Sequence, residues 1–338
     1  MISTESISKI FSEFSNLNAL VIGDVMLDSY IWGNVNRISP EAPVPIVEVK
    51  KRENRLGGAA NVGLNLKALG ATPILCSVIG DDVRGREFIE LLKKEDLPLD
   101  GIIMDEHRIT TTKFRVIGNN SQLLRVDEET TDILTEEQYL SLWKRIDNIL
   151  NTDNVDVIIF QDYDKGIISK KLISSVTEKA RSKGIPVTVD PKKNNFLDYK
   201  NVTLFKPNLK EIKDGLNLDS ELNNDVDIEL AVAKLQDKLN ADIVLNTLSE
   251  RGVFISWKIQ HGFESMLIPA HLRNIADVSG AGDTVISVAS LCLAQKTEPR
   301  VMAAISNLAG GLVCEEVGVV SIDKDKLLQE VNKLLART

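Results

Sequence analysis

Residues 277 to 291 read Asp277-Val278-Ser279-Gly280-Ala281-Gly282-Asp283-Thr284-Val285-Ile286-Ser287-Val288-Ala289-Ser290-Leu291. The second half is an apolar run suited to a buried helix, and the first half is a small-residue turn that ends in a carboxylate. Glycines let the main chain approach a charged group, first-turn amides have no carbonyl to bond, and the helix dipole adds about half a positive charge. Such a helix start is an anion site. A carboxylate beside an anion is repelled, so Asp283 makes chemical sense as the base that takes a proton from a hydroxyl attacking phosphorus. The amides of Gly280, Ala281 and Gly282 would hold the developing charge. A plainer reading stays open, in which Ser279 caps a glycine turn and Asp283 only complements the dipole. The third glycine of the dinucleotide fingerprint is missing, and no G-x-x-x-x-G-K-[ST] occurs in the chain.

Outward from this stretch, apolar strand-like runs alternate with amphipathic ones. Strands are expected at Ala19 to Gly23, Pro73 to Val78, Val155 to Phe160, Ile185 to Val189, Val202 to Phe205 and Asp242 to Asn246. Helices are expected at Ala59 to Leu69, Gly85 to Lys94, Tyr139 to Leu150, Lys170 to Lys183 and Ile228 to Leu239. Continuous apolar strands separated by helices predict an α/β fold, with a mostly parallel sheet covered on both faces and its ligand at the carboxyl ends of the strands. Two segments break the pattern: Tyr30 to Arg55, which carries Pro40, Pro43 and Pro45, and Thr110 to Asp127, which alternates and turns through Gly118-Asn119-Asn120. Together, over about residues 28–56 and 108–128, they read as a β-lid on a single domain spanning residues 1–338. One face of the lid is apolar, and a second copy of the chain would cover it, so a homodimer is expected.

The chain has 338 residues, 43% of them hydrophobic and 26% charged, enough to bury a sizeable core. A net charge of −9 argues against a nucleic-acid-binding surface as the main function. The apolar runs are too short or interrupted to span a bilayer, and no export signal heads the chain, so a cytoplasmic location is expected. Cys76, Cys292 and Cys314 lie singly in apolar stretches and read as buried thiols. The three histidines form no zinc-type spacing.

Polar candidates sit where the architecture puts a ligand, at strand ends. Asp24, Asp162 and Asp190 each follow an apolar run, and Asn208 with Glu211 follows Leu204-Phe205-Lys206-Pro207. Acids gathered beside a phosphate site need a cation, and Mg²⁺ prefers oxygen ligands. Gly57-Gly58-Ala59-Ala60-Asn61 opens a helix where glycines would admit a polyol and Asn61 could both donate to and accept from hydroxyls. Lys113 and Arg115 share a strand face and could clamp a substrate phosphate, a solvated face being an equal reading.

With these residues in view, the chain resembles the ribokinase-like (PfkB) carbohydrate kinases over nearly its whole length. The similarity rests on DVSGAGDT at 277–284, Gly57 to Asn61, the N-x-x-E element Asn208 to Glu211, and Thr247 at a strand end. Within that family, Arg37-Ile38-Ser39-Pro40-Glu41-Ala42-Pro43-Val44-Pro45, Asp162-Tyr163-Asp164-Lys165-Gly166 and Asp190-Pro191-Lys192 resemble the heptose 7-phosphate kinases. Gln161 stands where that group commonly has a small polar residue. The resemblance implies a ribokinase-like three-layer sandwich. It also implies transfer of the γ-phosphate of ATP to the anomeric hydroxyl of D-glycero-β-D-manno-heptose 7-phosphate, giving the 1,7-bisphosphate used for ADP-heptose and lipopolysaccharide core synthesis. Asp24, Asp28, Gly57, Gly58, Asn61 and Asp162 would hold the sugar, and Lys113 and Arg115 its phosphate. Lys192, Asn208, Glu211, Thr247, Gly252 and Asn307 would serve ATP. Asn208 and Glu211 would lie near Mg²⁺, and Asp277 and Ser279 at a K⁺ site. No H-x-G-H of a fused nucleotidylyltransferase is present, so a stand-alone kinase is expected. Other sugar or sugar-phosphate kinases of this fold, acting on fructose, ribose or a hexose phosphate, remain alternatives, as does a non-catalytic sugar-sensing dimer.

Overall fold

A computed structural model describes residues 2–337 apart from Asn120, Ser220, Glu221, Asn223 and Leu272. Nine strands form one sheet, in the order Gly262–Ile268, Val253–Ile259, Ile243–Thr247, Leu204–Phe205, Val187–Asp190, Val157–Gln161, Asn18–Gly23, Thr72–Gly80 and Ile102–Asp105. From Ile243–Thr247 to Ile102–Asp105 every pairing is parallel, and an antiparallel hairpin closes the other edge.

Side-chain alternation explains why the strands read as unbroken apolar runs. Ala19, Val21, Val157 and Ile159 pack into one core with the helices Ala59–Ala68, Ala281–Ala294 and Pro299–Val313, while Leu20, Ile22, Ile158 and Phe160 pack into a second core with Glu136–Thr152, Lys170–Lys183 and Asp225–Leu239. The expected three-layer α/β sandwich is thus the observed one. Strand order reverses between Asn18–Gly23 and Val157–Gln161, and at such a switch point the departing loops separate and leave a crevice beyond the carboxyl ends.

Four further strands, ordered Pro45–Gly58, Val25–Ile38, Thr112–Gly118 and Ser121–Glu128, make a separate lid sheet. Its long strands begin one residue after Asp24 and end at Gly58, so the lid is continuous with both the sheet edge and the first helix. In the lid turn Asn119 adopts φ 50°, and Asn120 lies outside the described residues. Leu124 and Val126 are 55% and 48% exposed on the outermost strand. The sequence pattern did not mark the helices Thr4–Glu13, Leu209–Leu216, Pro299–Val313 and Lys324–Leu335, the strand Ile102–Asp105 or the edge hairpin. The strand expected at 202–205 contracts to Leu204–Phe205.

Candidate active site

The helix after the opening stretch starts at Ala281, and its N-cap is Gly280 at φ 81°, a left-handed conformation costly for any residue with a Cβ. Ser279 is not the cap. Its amide donates to Asp277 Oδ1 at 2.9 Å, while Gly318 N donates to Asp277 Oδ2 at 3.0 Å, which ties the turn to the 318 loop. Burial pushes the Asp277 carboxyl up, but these amides outweigh it and hold it below the usual range. Of the three amides expected in the anion hole, Ala281 gives its own to the Val278 carbonyl at 3.3 Å. Those of Gly280 and Gly282 have no partner among the described residues and border the main cleft.

Asp283 is 5% exposed and is held by three donors. Asn61 Nδ2 donates to Oδ2 at 2.7 Å, and Tyr163 Oη and Gln161 Nε2 donate to Oδ1 at 2.8 and 3.1 Å. Desolvation by burial is the largest influence on its pKa and, with Asp190 nearby, raises it to about 6 against the pull of Asn61, Tyr163 and Lys206. A carboxyl poised there is ionised at neutral pH yet basic enough to accept a hydroxyl proton in a transition state. Gln161 Nε2 also reaches Asp190 Oδ2 at 3.1 Å, and Lys206 Nζ lies 3.0 Å from Asp190 Oδ1. The strand tips therefore converge under the helix start.

From this point a cleft of about 1230 Å³ runs past Lys192, Asn208, Glu211, Thr247 and Gly252 to Asn307. Asn208 caps the helix Leu209–Leu216 in a reciprocal capping box with Glu211, whose other oxygen accepts from Lys192 Nζ at 2.7 Å. Asn307 donates to the Pro269 carbonyl at 3.0 Å. All six residues expected to serve a nucleotide thus line one continuous groove that ends at Asp283.

The expected sugar ligands divide. Asp24 is 1% exposed, and its carboxylate accepts the amides of Tyr163, Lys165 and Ile167 at 2.8, 3.1 and 3.1 Å. Desolvation, then Asp162, raises it to about 6. Asp162, also 1% exposed, accepts from Tyr199 Oη at 2.7 Å, Asn195 Nδ2 at 3.0 Å and the Asp164 amide at 2.9 Å. Both carboxylates are buried and bonded to the chain itself. Both fold the 162–167 loop, because a buried carboxylate is stable only with its lone pairs filled. Lys113 and Arg115 are not free clamps either: Lys113 pairs with Asp127 at 3.1 Å and Glu129 at 3.2 Å, and Arg115 pairs with Asp28. Lys165 joins the same cluster at 2.8 Å from Glu129. Gly57 and Gly58 are required by the lid itself, since a Cβ at either would strike Asp28 or the Asp24 carbonyl across the strand pair. Asn61 is spent on Asp283.

Three residues at the centre escaped the sequence reading as functional groups: Gln161, Tyr163 and Lys206. Gln161 differed from the common residue type, and Lys206 is a charged residue at the end of a buried strand, which was a usable signal. Nothing in the local sequence around Tyr163 marks its hydroxyl as a donor to a residue 120 positions away.

Comparison with known proteins bears on this geometry. The profile of the pfkB family carbohydrate kinases matches residues 16–326. Among curated proteins, the bifunctional protein HldE of Desulfatibacillum aliphaticivorans is 38% identical over 316 residues, covering 94% of this chain and 63% of that protein. HldE of Campylobacter curvus is 37% identical over 299 residues, covering 88% and 62%. The chain thus spans less than two thirds of the length of these relatives. Among solved structures, Escherichia coli phosphofructokinase-2 in complex with potassium superposes with a TM-score of 0.76 at 19% identity, covering 95% of this chain and 99% of that one. Arabidopsis thaliana ribokinase complexed with ribose and ATP gives 0.70 at 16% identity, covering 93% and 99%. These two share the fold. The family profile over residues 16–326, with the HldE relatives, identifies the chain as a member of the pfkB family of carbohydrate kinases, an ATP-dependent sugar kinase.

Proposed function

We propose that the chain phosphorylates the anomeric hydroxyl of D-glycero-β-D-manno-heptose 7-phosphate to the 1,7-bisphosphate, in a cytoplasmic route to ADP-heptose and lipopolysaccharide core. The observation that carries this reading is a pair of lid guanidiniums beside the turn that leads to the base. Arg55 and Arg115 both stack on Tyr30, at 5.0 and 5.3 Å, and a Cβ at Gly318 would lie 3.0 Å from Arg55 Nη1. Arg115 also lowers the Asp277 pKa. Both are paired in the structure, Arg115 with Asp28 and Arg55 with Glu53, so a phosphate on the acceptor would share these cations with the two carboxylates while the other end of the sugar lies at Asp283. The sequence similarity to HldE proteins and the heptose-kinase-like motifs support the same choice.

In this reading Asp283 takes the proton of the attacking hydroxyl, the amides of Gly280 and Gly282 hold phosphoryl oxygens, and Asp28 with Arg115 orients the sugar. Among the described residues no three His, Cys, Asp or Glu side chains converge as a metal cage. That fits Mg²⁺, which keeps several waters and rides on nucleotide phosphates. Glu211 and Asn208 would take its outer waters, and bound there it would neutralise phosphate charge. Asp277 and Ser279 would lie at a K⁺ site. A homodimer formed through the apolar lid strand completes the proposal.

The test is ADP release with heptose 7-phosphate against ribose, fructose and fructose 6-phosphate, with the first expected to give the highest kcat/KM. A preference for fructose 6-phosphate or an unphosphorylated sugar would overturn the substrate assignment. Asp283→Asn is expected to lower turnover by about two to four decades while ATP affinity stays within a few fold. Normal turnover in that variant removes Asp283 from the chemistry.

A further inference from the structure

Lys206 is 3% exposed, its ammonium lies 3.0 Å from Asp190 Oδ1, and the other Asp190 oxygen is taken by Gln161. A methyl group added at Gly282 would meet Lys206 Nζ at 3.5 Å, so the ammonium lies directly against the first turn of the anion-binding helix and borders the cleft. An ammonium has three N–H bonds. Asp190 accounts for one, and no second described group takes the others.

Charge sharpens the point. Asp190 and Asp283 bring two negative charges to the inner end of the groove, and Lys206 is a nearly buried cation paired with the first and close enough to the second to lower its pKa. Lys192, another lysine of the groove, is 35% exposed and serves Glu211. A polyanion entering beside two carboxylates would be repelled without a cation on the inner side. A compact ammonium with spare donors, fixed by Asp190 and aimed past Gly282, is the group that can supply it.

We propose that Lys206 is a catalytic residue whose ammonium bonds the γ-phosphoryl group of ATP in the ground state and during transfer. The step it assists breaks the bond between phosphorus and the β,γ-bridging oxygen, whose electron pair leaves with ADP. A bond forms from phosphorus to the sugar oxygen, whose proton passes to Asp283. Lys206 donates hydrogen bonds throughout and transfers no proton. This rests on ATP-dependent phosphoryl transfer in the cleft and does not depend on which sugar accepts.

The competing account is structural, with Lys206 doing nothing beyond neutralising Asp190. The two separate in a pair of variants, Lys206→Met and Lys206→Met with Asp190→Asn, because removing both partners relieves an orphaned buried carboxylate. Binding of Mg·AMP-PNP and Mg·ADP is measured by titration calorimetry without sugar, alongside thermal unfolding and turnover with whichever sugar the unaltered enzyme accepts. A γ-phosphoryl contact predicts that Lys206→Met loses about tenfold or more in AMP-PNP affinity and less than about threefold in ADP affinity, with kcat down about two to three decades. The double variant regains unfolding temperature yet stays slow and still fails to favour AMP-PNP. Recovery of turnover in the double variant, or equal losses for the two nucleotides, or no change in either, overturns the assignment. Rejection of heptose 7-phosphate by the unaltered enzyme would sink the substrate reading alone, since the nucleotide comparison still reports on Lys206.

Discussion

Tyr163→Phe removes one oxygen and one hydrogen bond from the candidate base, and the consequence can be worked out from the site. The phenol donates to Asp283 Oδ1 at 2.8 Å and so favours the ionised carboxyl, whose pKa nonetheless stands raised to about 6. A hydrogen bond to a charged group contributes about 1.5–3 kcal/mol, which corresponds to about one to two pKa units. Gln161 still donates to the same oxygen at 3.1 Å, and Asn61 to the other at 2.7 Å, so the lower end applies. The acid limb of kcat should then move from near pH 6 to about pH 7. With a factor of ten per unit, the variant should be about five- to sixfold slower than the parent at pH 6, about twofold slower at pH 7, and equal at about pH 9. A coupled assay for ADP at constant ionic strength and saturating substrates reads this directly. An unmoved acid limb, or a rate lowered by the same factor at every pH, would refute both the role of the phenol and the identity of the titrating group.

Further outcomes follow from burial and charge. Asp283→Asn should stabilise the fold at neutral pH, because a carboxyl with a folded pKa of about 6 against an ordinary value of 3.8 is costly to keep ionised in the folded chain. The gain, at most about 3 kcal/mol, should appear as pH rises through that window and vanish near pH 4, and urea unfolding at both pH values checks the sign. Asp24→Ala strips the acceptor from three loop amides and should cost about 2–4 kcal/mol of unfolding free energy; an unchanged denaturation midpoint would show that water replaces the carboxylate. Leu124→Lys places a charge on the apolar lid strand and should convert a dimer to monomer in sedimentation velocity, whereas an unaltered sedimentation coefficient would place the dimer contact elsewhere.

The parts of the molecule legible in the sequence are those governed by local periodicity. Lys170–Lys183 carries a Ser169 cap and a glycine at its end, and the helix has the expected bounds. The parallel strands are buried on both faces, so their apolar runs stand out, while the edge hairpin Val253–Ile259 and Gly262–Ile268 mixes buried and exposed positions and blends with loops. At the site, residue type was a good guide to location and a poor guide to role. Asp24, Asp162 and Asp190 all end strands, but what each carboxylate meets depends on where the 162–167 loop folds back, and strand-end position says nothing of that. The pairing of Lys113 with Asp127 and Glu129 is likewise tertiary, and from the strand alone its charge could equally have faced a ligand.

The lid and the candidate base Asp283 are tied to the same short piece of chain. Lys165 grips Glu129 at the root of the outer lid strand, while two residues earlier Tyr163 touches Asp283, and Asp24 holds the amides of both residues. The lid root and the Asp283 carboxylate are thus joined through one stretch of four residues, 162–165. A substitution at Glu129, out on the lid, should therefore be felt at Asp283 although the two side chains share no bond.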